Sequence, residues 1–165
     1  MSRIDNALKW CLDKGEKEGH KHRGLKKIDK DHKEAQNQIK KAKSDLETME
    51  YLFNGNKTDW VASTAFYAMY HSLLAILYRT GYESRNQECT IIAIENLMKE
   101  GLISLEQEFV DIIRSLQENS EDALSIREEM QYGSKTDMEK KRCEMLMNQA
   151  KRFVERISEV LEEIE

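Results

Sequence analysis

The chain has no proline and only seven glycines among 165 residues. It therefore carries few of the residues that interrupt helices. Cysteine is also scarce: Cys11, Cys89 and Cys143 are odd in number, far apart and form no Cys-x-x-Cys pair. That pattern reads as three free thiols in a reducing compartment. No excess of basic charge exists, since Lys and Arg total 26 against 31 Asp and Glu, a net charge of −5. A chain-wide field for nucleic acid is thereby excluded, while a local basic patch is not. The N-terminus lacks the apolar core of a secretory signal. One apolar run alone stands out, Trp60 to Tyr78, 19 residues without a formal charge. It contains Ser63, Thr64, His71 and Ser72, and reads as a helix buried on nearly every side of a bundle rather than a membrane span. A cytoplasmic protein without a membrane segment is the expectation.

Several chemistries lose their motifs. No Gly-x-x-x-x-Gly-Lys and no Gly-x-Gly-x-x-Gly occurs, so the glycine-rich phosphate loops are unsupported. Gly-x-Ser-x-Gly is absent as well. A di-iron bundle needs paired Glu-x-x-His motifs, and the nearest approach is Asp29-x-x-His32. His20, His22 and His32 have no cysteine at ligand spacing and read as ordinary surface histidines. No metal and no cofactor is expected.

What is present is charge and helix-period apolar spacing. Charged residues make up 35% of the chain, with Leu, Ile, Met, Glu and Lys abundant, as in helical proteins. Ala35, Ile39, Ala42, Leu46, Met49 and Phe53 step by four and three along one stripe. Cys143, Leu146, Ala150, Phe153, Ile157, Val160 and Ile164 repeat the pattern, and Leu105, Phe109, Ile112, Ile113 and Leu116 make a third face. Gly55, Gly81, Gly101 and Gly133 each follow a helix-like segment, where a left-handed cap belongs. Ser104 to Gln107 and Thr136 to Glu139 fit capping boxes, and Asp31 or Thr58 can cap other starts. The spacing predicts helices over 34–54, 58–80, 88–100, 104–131 (with a break near Asn119) and 136–163. The fold class is all-α: an antiparallel up-and-down four- to five-helix bundle over 34–165, with 58–80 at its centre. Residues 1–33 read as a short amphipathic helix carrying Ile4, Leu8 and Cys11, followed by a polar arm. From Asp13 to Lys33 that arm has eight Lys/Arg against five Asp/Glu. Its plain reading is solvated; its sharper one is a basic arm for RNA or a partner.

Chemistry concentrates around the apolar helix. Thr64, Tyr67, His71, Leu74 and Tyr78 share a face, with Tyr70 on the adjoining stripe. Buried hydroxyls and imidazoles need partners, so His71 is either a satisfied core histidine or a functional one. Arg85 follows in Ser84-Arg85-Asn86-Gln87, where Ser84 or Asn86 can cap the next helix. An arginine beside free helix N–H groups suits a phosphate or carboxylate, and equally an ion pair with Glu83 or Glu88. Arg127 and Tyr132, in the stretch ending at Gly133, complete the candidate ligand set. Arg127 is also where a helix-end cation belongs.

The segment from Ala65 to Asn86, with its Phe66-Tyr-Ala-Met-Tyr-His71 core, the short apolar helix after it and Ser125 to Gly133, resembles the HEPN domain (higher eukaryotes and prokaryotes nucleotide-binding). The likeness covers about residues 34–163. It implies an antiparallel helical bundle, often dimeric, and in many prokaryotic members a small nucleotidyltransferase partner in a toxin–antitoxin module. Catalytic members are metal-independent ribonucleases marked by Arg-x(4–6)-His. Arg85-Asn86 fits the start of that motif, but the histidine would fall on Thr90, Ile91 or Ile92, and no Arg-x(4–6)-His occurs in the chain. The resemblance thus implies a homodimer that binds nucleotide or RNA phosphate, not DNA. Tyr67, Tyr70, His71, Arg85, Asn86, Arg127 and Tyr132 would line the site. A scaffold without a ligand site and a ribonuclease using Arg85 and His71 are the alternatives.

Overall fold

A computed structural model describes residues 2–118 and 136–164. Six helices account for most of them: α1 Arg3–Glu18, α2 His32–Asn54, α3 Val61–Thr80, α4 Gln87–Lys99, α5 Gln107–Glu118 and α6 Thr136–Glu163. One small antiparallel sheet joins β1 Leu25–Lys27 to β2 Tyr82–Ser84, with Lys26 opposite Glu83. The architecture is the expected all-α bundle. Arg127, Tyr132, Gly133 and the break near Asn119 lie outside the described residues.

The apolar spacing explains the arrangement. Val61, Ala65, Ala68, Met69, Leu73, Ala75, Ile76 and Leu77 of α3 are all buried. They pack chiefly against α2 and α6, with further contacts to α4, α5 and β2. Ala35, Ile39, Ala42 and Met49 supply the buried stripe of α2. On α6, Phe153 is fully buried and meets Phe109 of α5 edge to face at 5.7 Å. The stretch Thr58–Thr80 is long and apolar enough to cross a membrane, but half of its most apolar window is buried inside this molecule.

Caps fix the ends. Asp31 accepts from the Glu34 N–H and Asn86 from the Cys89 N–H, each closing a helix start. Gly81, at φ 95°, ends α3 in the left-handed region that glycine enters freely. Three expectations on caps are corrected. Thr58 lies in a 3-10 turn, and α3 begins after Trp60 without a side-chain cap. After α2 the left-handed residue is Asn56, while Gly55 has φ −84°. Ser104 does not start α5, which begins at Gln107. The physical reason is that Ile103 and Leu105 are buried and Arg156 binds the Ser104 carbonyl and the Glu106 carboxylate, holding this segment extended along the bundle.

Residues 13–33 are not a solvated arm. Helix α1 runs to Glu18, a 3-10 turn covers Gly19–Lys21, and β1 then pairs with β2. Leu25 is completely buried and His22 is 1% exposed. Close approach, not an apolar stripe, makes this docking possible. A Cβ on Gly15 would overlap the Leu25 carbonyl, and one on Gly24 would meet the Cys11 carbonyl. Ion pairs add to it: Arg3 reaches Glu95 at 3.3 Å, and Lys99 reaches Asp5 at 2.9 Å. Lys99 and Ser2 hold the Asp5 carboxyl down to about 2, so that pair stays charged well below the usual carboxylate range.

The cysteine reading also changes. Cys11 of α1 and Cys89 of α4 form a disulfide across Cα atoms 5.7 Å apart, and Cys143 is a buried thiol outside that disulfide. Their sequence separation of 78 hid a proximity that only the folding back of α1 creates. In the chain-entropy picture, closing so long a loop stabilises the fold by about 4 kcal/mol. Two results are expected. Denatured protein without reductant exposes one titratable thiol per chain, and reduced protein exposes three. The Cys11→Ser, Cys89→Ser double variant loses about 4 kcal/mol in denaturant unfolding relative to the oxidised chain.

Candidate functional site

The polar residues of α3 divide into a wet edge and a buried relay. On the wet edge, Tyr67 is 48% exposed. Its ring lies nearly parallel to that of His71, with centroids 6.1 Å apart. His71 Nδ1 lies 2.6 Å from Asp45 Oδ2 of α2. A carboxylate only accepts, so Nδ1 carries the proton and donates it to Asp45. His71 Nε2 makes no hydrogen bond among the described residues. His71 and Asp45 side chains are 14% and 23% exposed, which places the pair at the lip of the bundle. Asp45 was not expected from sequence. Its signal was a carboxylate at spacing three from Ala42 and four from Met49, inside the core-facing stripe of α2.

The buried relay starts at Tyr70. Phe66 stacks on its ring at 6.1 Å, and its hydroxyl sits 3.2 Å from Thr90 Oγ1 of α4. Thr90 donates to Ser84 Oγ at 2.7 Å, and Ser84 donates to the Asn86 carbonyl at 3.0 Å. The order Tyr70, Thr90, Ser84, Asn86 uses each hydroxyl proton once. Burial pushes the Tyr70 hydroxyl pKa up against the opposing effect of the Thr90 bond, so it stays a neutral donor. The relay ties the middle of α3 to the start of α4. Tyr70 and Asn86 are thereby connected, and both are occupied: the Asn86 side chain also caps α4 and donates to the Arg23 carbonyl.

Arg85 belongs to a third cluster. It donates to the His20 carbonyl at 2.6 Å and pairs with Glu83 at 3.2 Å, while remaining 47% exposed. Glu83 also accepts from His22 Nε2 at 2.8 Å, because His22 Nδ1 takes the Gly24 N–H at 3.3 Å and fixes the tautomer. His22 is thus a buried structural residue rather than the surface histidine expected. His71 and Arg85 share no partner, and His71 stands nine residues before the end of α3, about 14 Å along the axis. The structure joins Tyr67, Tyr70 and His71, links Tyr70 to Asn86, and leaves Arg85 separate. Thr90, Ile91 and Ile92, where an Arg-x(4–6)-His histidine would fall, are all buried. Among the described residues no group of three His, Cys, Asp or Glu side chains is arranged to hold a metal.

A helical bundle built on one apolar helix, with an aromatic and histidine edge beside the start of the next, is the architecture seen here. The HEPN domain family model matches residues 35–161, and the chain belongs to that family. The match spans α2 to α6 and leaves α1 and β1 outside it. No curated protein matches the chain in sequence. Membership makes this a helical domain of a nucleotide- and RNA-related family.

The Asp45–His71 bond yields a direct test. Asp45→Ala leaves a mostly buried imidazole N–H without its acceptor, at a cost of about 1–3 kcal/mol. Proton NMR of the native chain is expected to show a hydrogen-bonded His71 Nδ1–H that disappears in this variant.

Proposed function

We propose that the chain binds a nucleotide or RNA on the wet edge of α3, as a homodimer. One observation carries the reading: the half-exposed Tyr67 ring stacks on an imidazole that Asp45 holds in a fixed orientation. A rigid aromatic pair open to solvent is a stacking platform, and each stacked base contributes about 1–3 kcal/mol. His71 Nε2 adds an acceptor or, when protonated, a cation beside that platform. Arg85 supplies a phosphate-binding guanidinium beyond the end of α3, once a ligand competes for it with Glu83. The homodimer is the family's expectation and stays with this reading. A small nucleotidyltransferase as partner, in a toxin–antitoxin module, stays with this reading as the family's expectation.

Thermal unfolding against a panel of nucleotides and short RNAs tests it. A ligand that binds only the folded state adds about 2.7 kcal/mol at a hundredfold excess over its Kd. The expected result is a rise for the wild type that Tyr67→Ala abolishes and Arg85→Ala weakens. No rise with any ligand rejects the binding reading and leaves a dimeric scaffold.

A ribonuclease is the second reading, and the Asp45-oriented His71 favours it. Nε2 has the lone pair a general base needs, and Asp45 stabilises the imidazolium that forms. In that case metal-free cleavage of RNA is lost in His71→Ala and reduced in Asp45→Ala. Cleavage unchanged in His71→Ala rejects it.

A further inference from the structure

The charge of the chain is unevenly spread. Residues 1–33 carry ten Lys/Arg against six Asp/Glu, while residues 34–165 carry sixteen against twenty-five. The basic part is the part outside the family match, and it is folded rather than loose. On α1, Cys11 and Gly15 face the core. Trp10, Lys14 and Lys17 follow at spacings of four and three on a different side, and Lys21 continues the step into the 3-10 turn. Trp10 is 57% exposed, and the Lys14 ammonium sits 5.7 Å from its ring centroid. Lys14 pairs with Glu18 at 3.4 Å. Lys17, Lys21 and Arg23 are exposed, and their side chains make no ion pair among the described residues.

This row ends at Arg85. The Arg85 guanidinium holds the carbonyl of His20, the residue before Lys21, and Asn86 holds the carbonyl of Arg23. The disulfide from Cys11 to Cys89 and the pairing of β1 with β2 keep the row in that position. An exposed aromatic followed by evenly stepped cations matches a polyanion whose bases can stack, and a folded platform presents them without the entropy cost of ordering a tail. Three carboxylates lie in the same stretch: Glu18 is engaged by Lys14 and by the Arg23 N–H, Asp13 flanks the stripe, and Glu16 lies off it, while Glu83 pairs with Arg85 at its end.

We propose that α1 and the turn after it form a track for single-stranded RNA, with Trp10 stacking a base and Lys14, Lys17, Lys21 and Arg23 following the phosphates toward Arg85. The track rests on the RNA-binding reading above and adds to it a backbone-contacting surface that a mononucleotide does not need.

The test measures fluorescence anisotropy of a labelled twelve-nucleotide single-stranded RNA, about that length being needed to cross such a surface. Full-length protein in a Trp60→Phe background is compared with the same protein carrying Lys17→Ala, Lys21→Ala and Arg23→Ala together. For single strands each phosphate contact contributes about 0.7 to the slope of log affinity against log salt, so losing three lowers the slope by about two. At moderate salt the affinity is expected to fall at least tenfold. Trp10 emission, the sole tryptophan signal in that background, is expected to be quenched by RNA and not by a mononucleotide. Mononucleotide binding, read by thermal shift, stays unchanged in the triple variant. RNA binding with an unaltered slope in that variant, and unquenched Trp10, overturns the track while leaving the α3 site standing. RNA binding lost in Tyr67→Ala but not in the triple variant does the same. Failure of every RNA and nucleotide to bind the parent overturns both.

Discussion

Burial of α3 is the constraint on which the rest of this structure depends. A helix this apolar cannot stay in water, and half of its most apolar window is buried inside the molecule. Covering it takes the stripe of α2 on one flank, α6 on another, and α4 and α5 at the margins. Ala65, Ala68 and Ala75 of α3, all wholly buried, keep its profile thin enough for neighbours to approach. Polar atoms drawn in by this packing had to be satisfied there. Tyr70 acquires Thr90, Ser72 donates to the Met69 carbonyl, and His71 acquires Asp45. The chemistry of the candidate site is therefore a consequence of where α3 fails to be fully covered. At that edge the same helix must present Tyr67 to solvent and keep Tyr70 dry three residues later.

The bundle was legible in the sequence because it is encoded locally. Stripes at steps of three and four specify α2, α5 and α6, and α2, α3 and α4 end within a residue or two of Gly55, Gly81 and Gly101. Residues 13–33 were not legible for a different reason. Their docking surface consists of Cys11, Gly15, His22, Gly24 and Leu25, five residues with no period and two with no side chain. Gly15 contributes by having nothing to clash, which hydrophobicity does not register. His22 and Cys11 find Glu83 and Cys89 only after the chain has turned back across the bundle.

The candidate site shows the same division. Tyr67, Tyr70 and His71 were readable as one cluster since a single helix carries them. Asp45, their most informative partner, sits 26 residues earlier on α2 and was visible only as a carboxylate inside an apolar stripe. Arg85 and Asn86 were rightly placed at a helix start. Their partners, the carbonyls of His20 and Arg23, belong to a segment whose fold the sequence did not reveal.

These partners alter what Arg85 can do. As a free guanidinium at a helix N-terminus it would be a simple anion site. In the folded chain it is one corner of a cluster in which Glu83 faces both Arg85 and His22. A carboxylate shared between a guanidinium and a neutral imidazole N–H compensates the buried histidine and restrains the arginine without removing it from solvent. An incoming phosphate would compete with one carboxylate oxygen and one backbone carbonyl, not with an empty site. That competition weakens binding of a single phosphate more than binding of a strand already held elsewhere, since a tethered group binds at high effective concentration. On the proposed reading, the partners of Arg85 favour a ligand with several phosphates over one with a single phosphate.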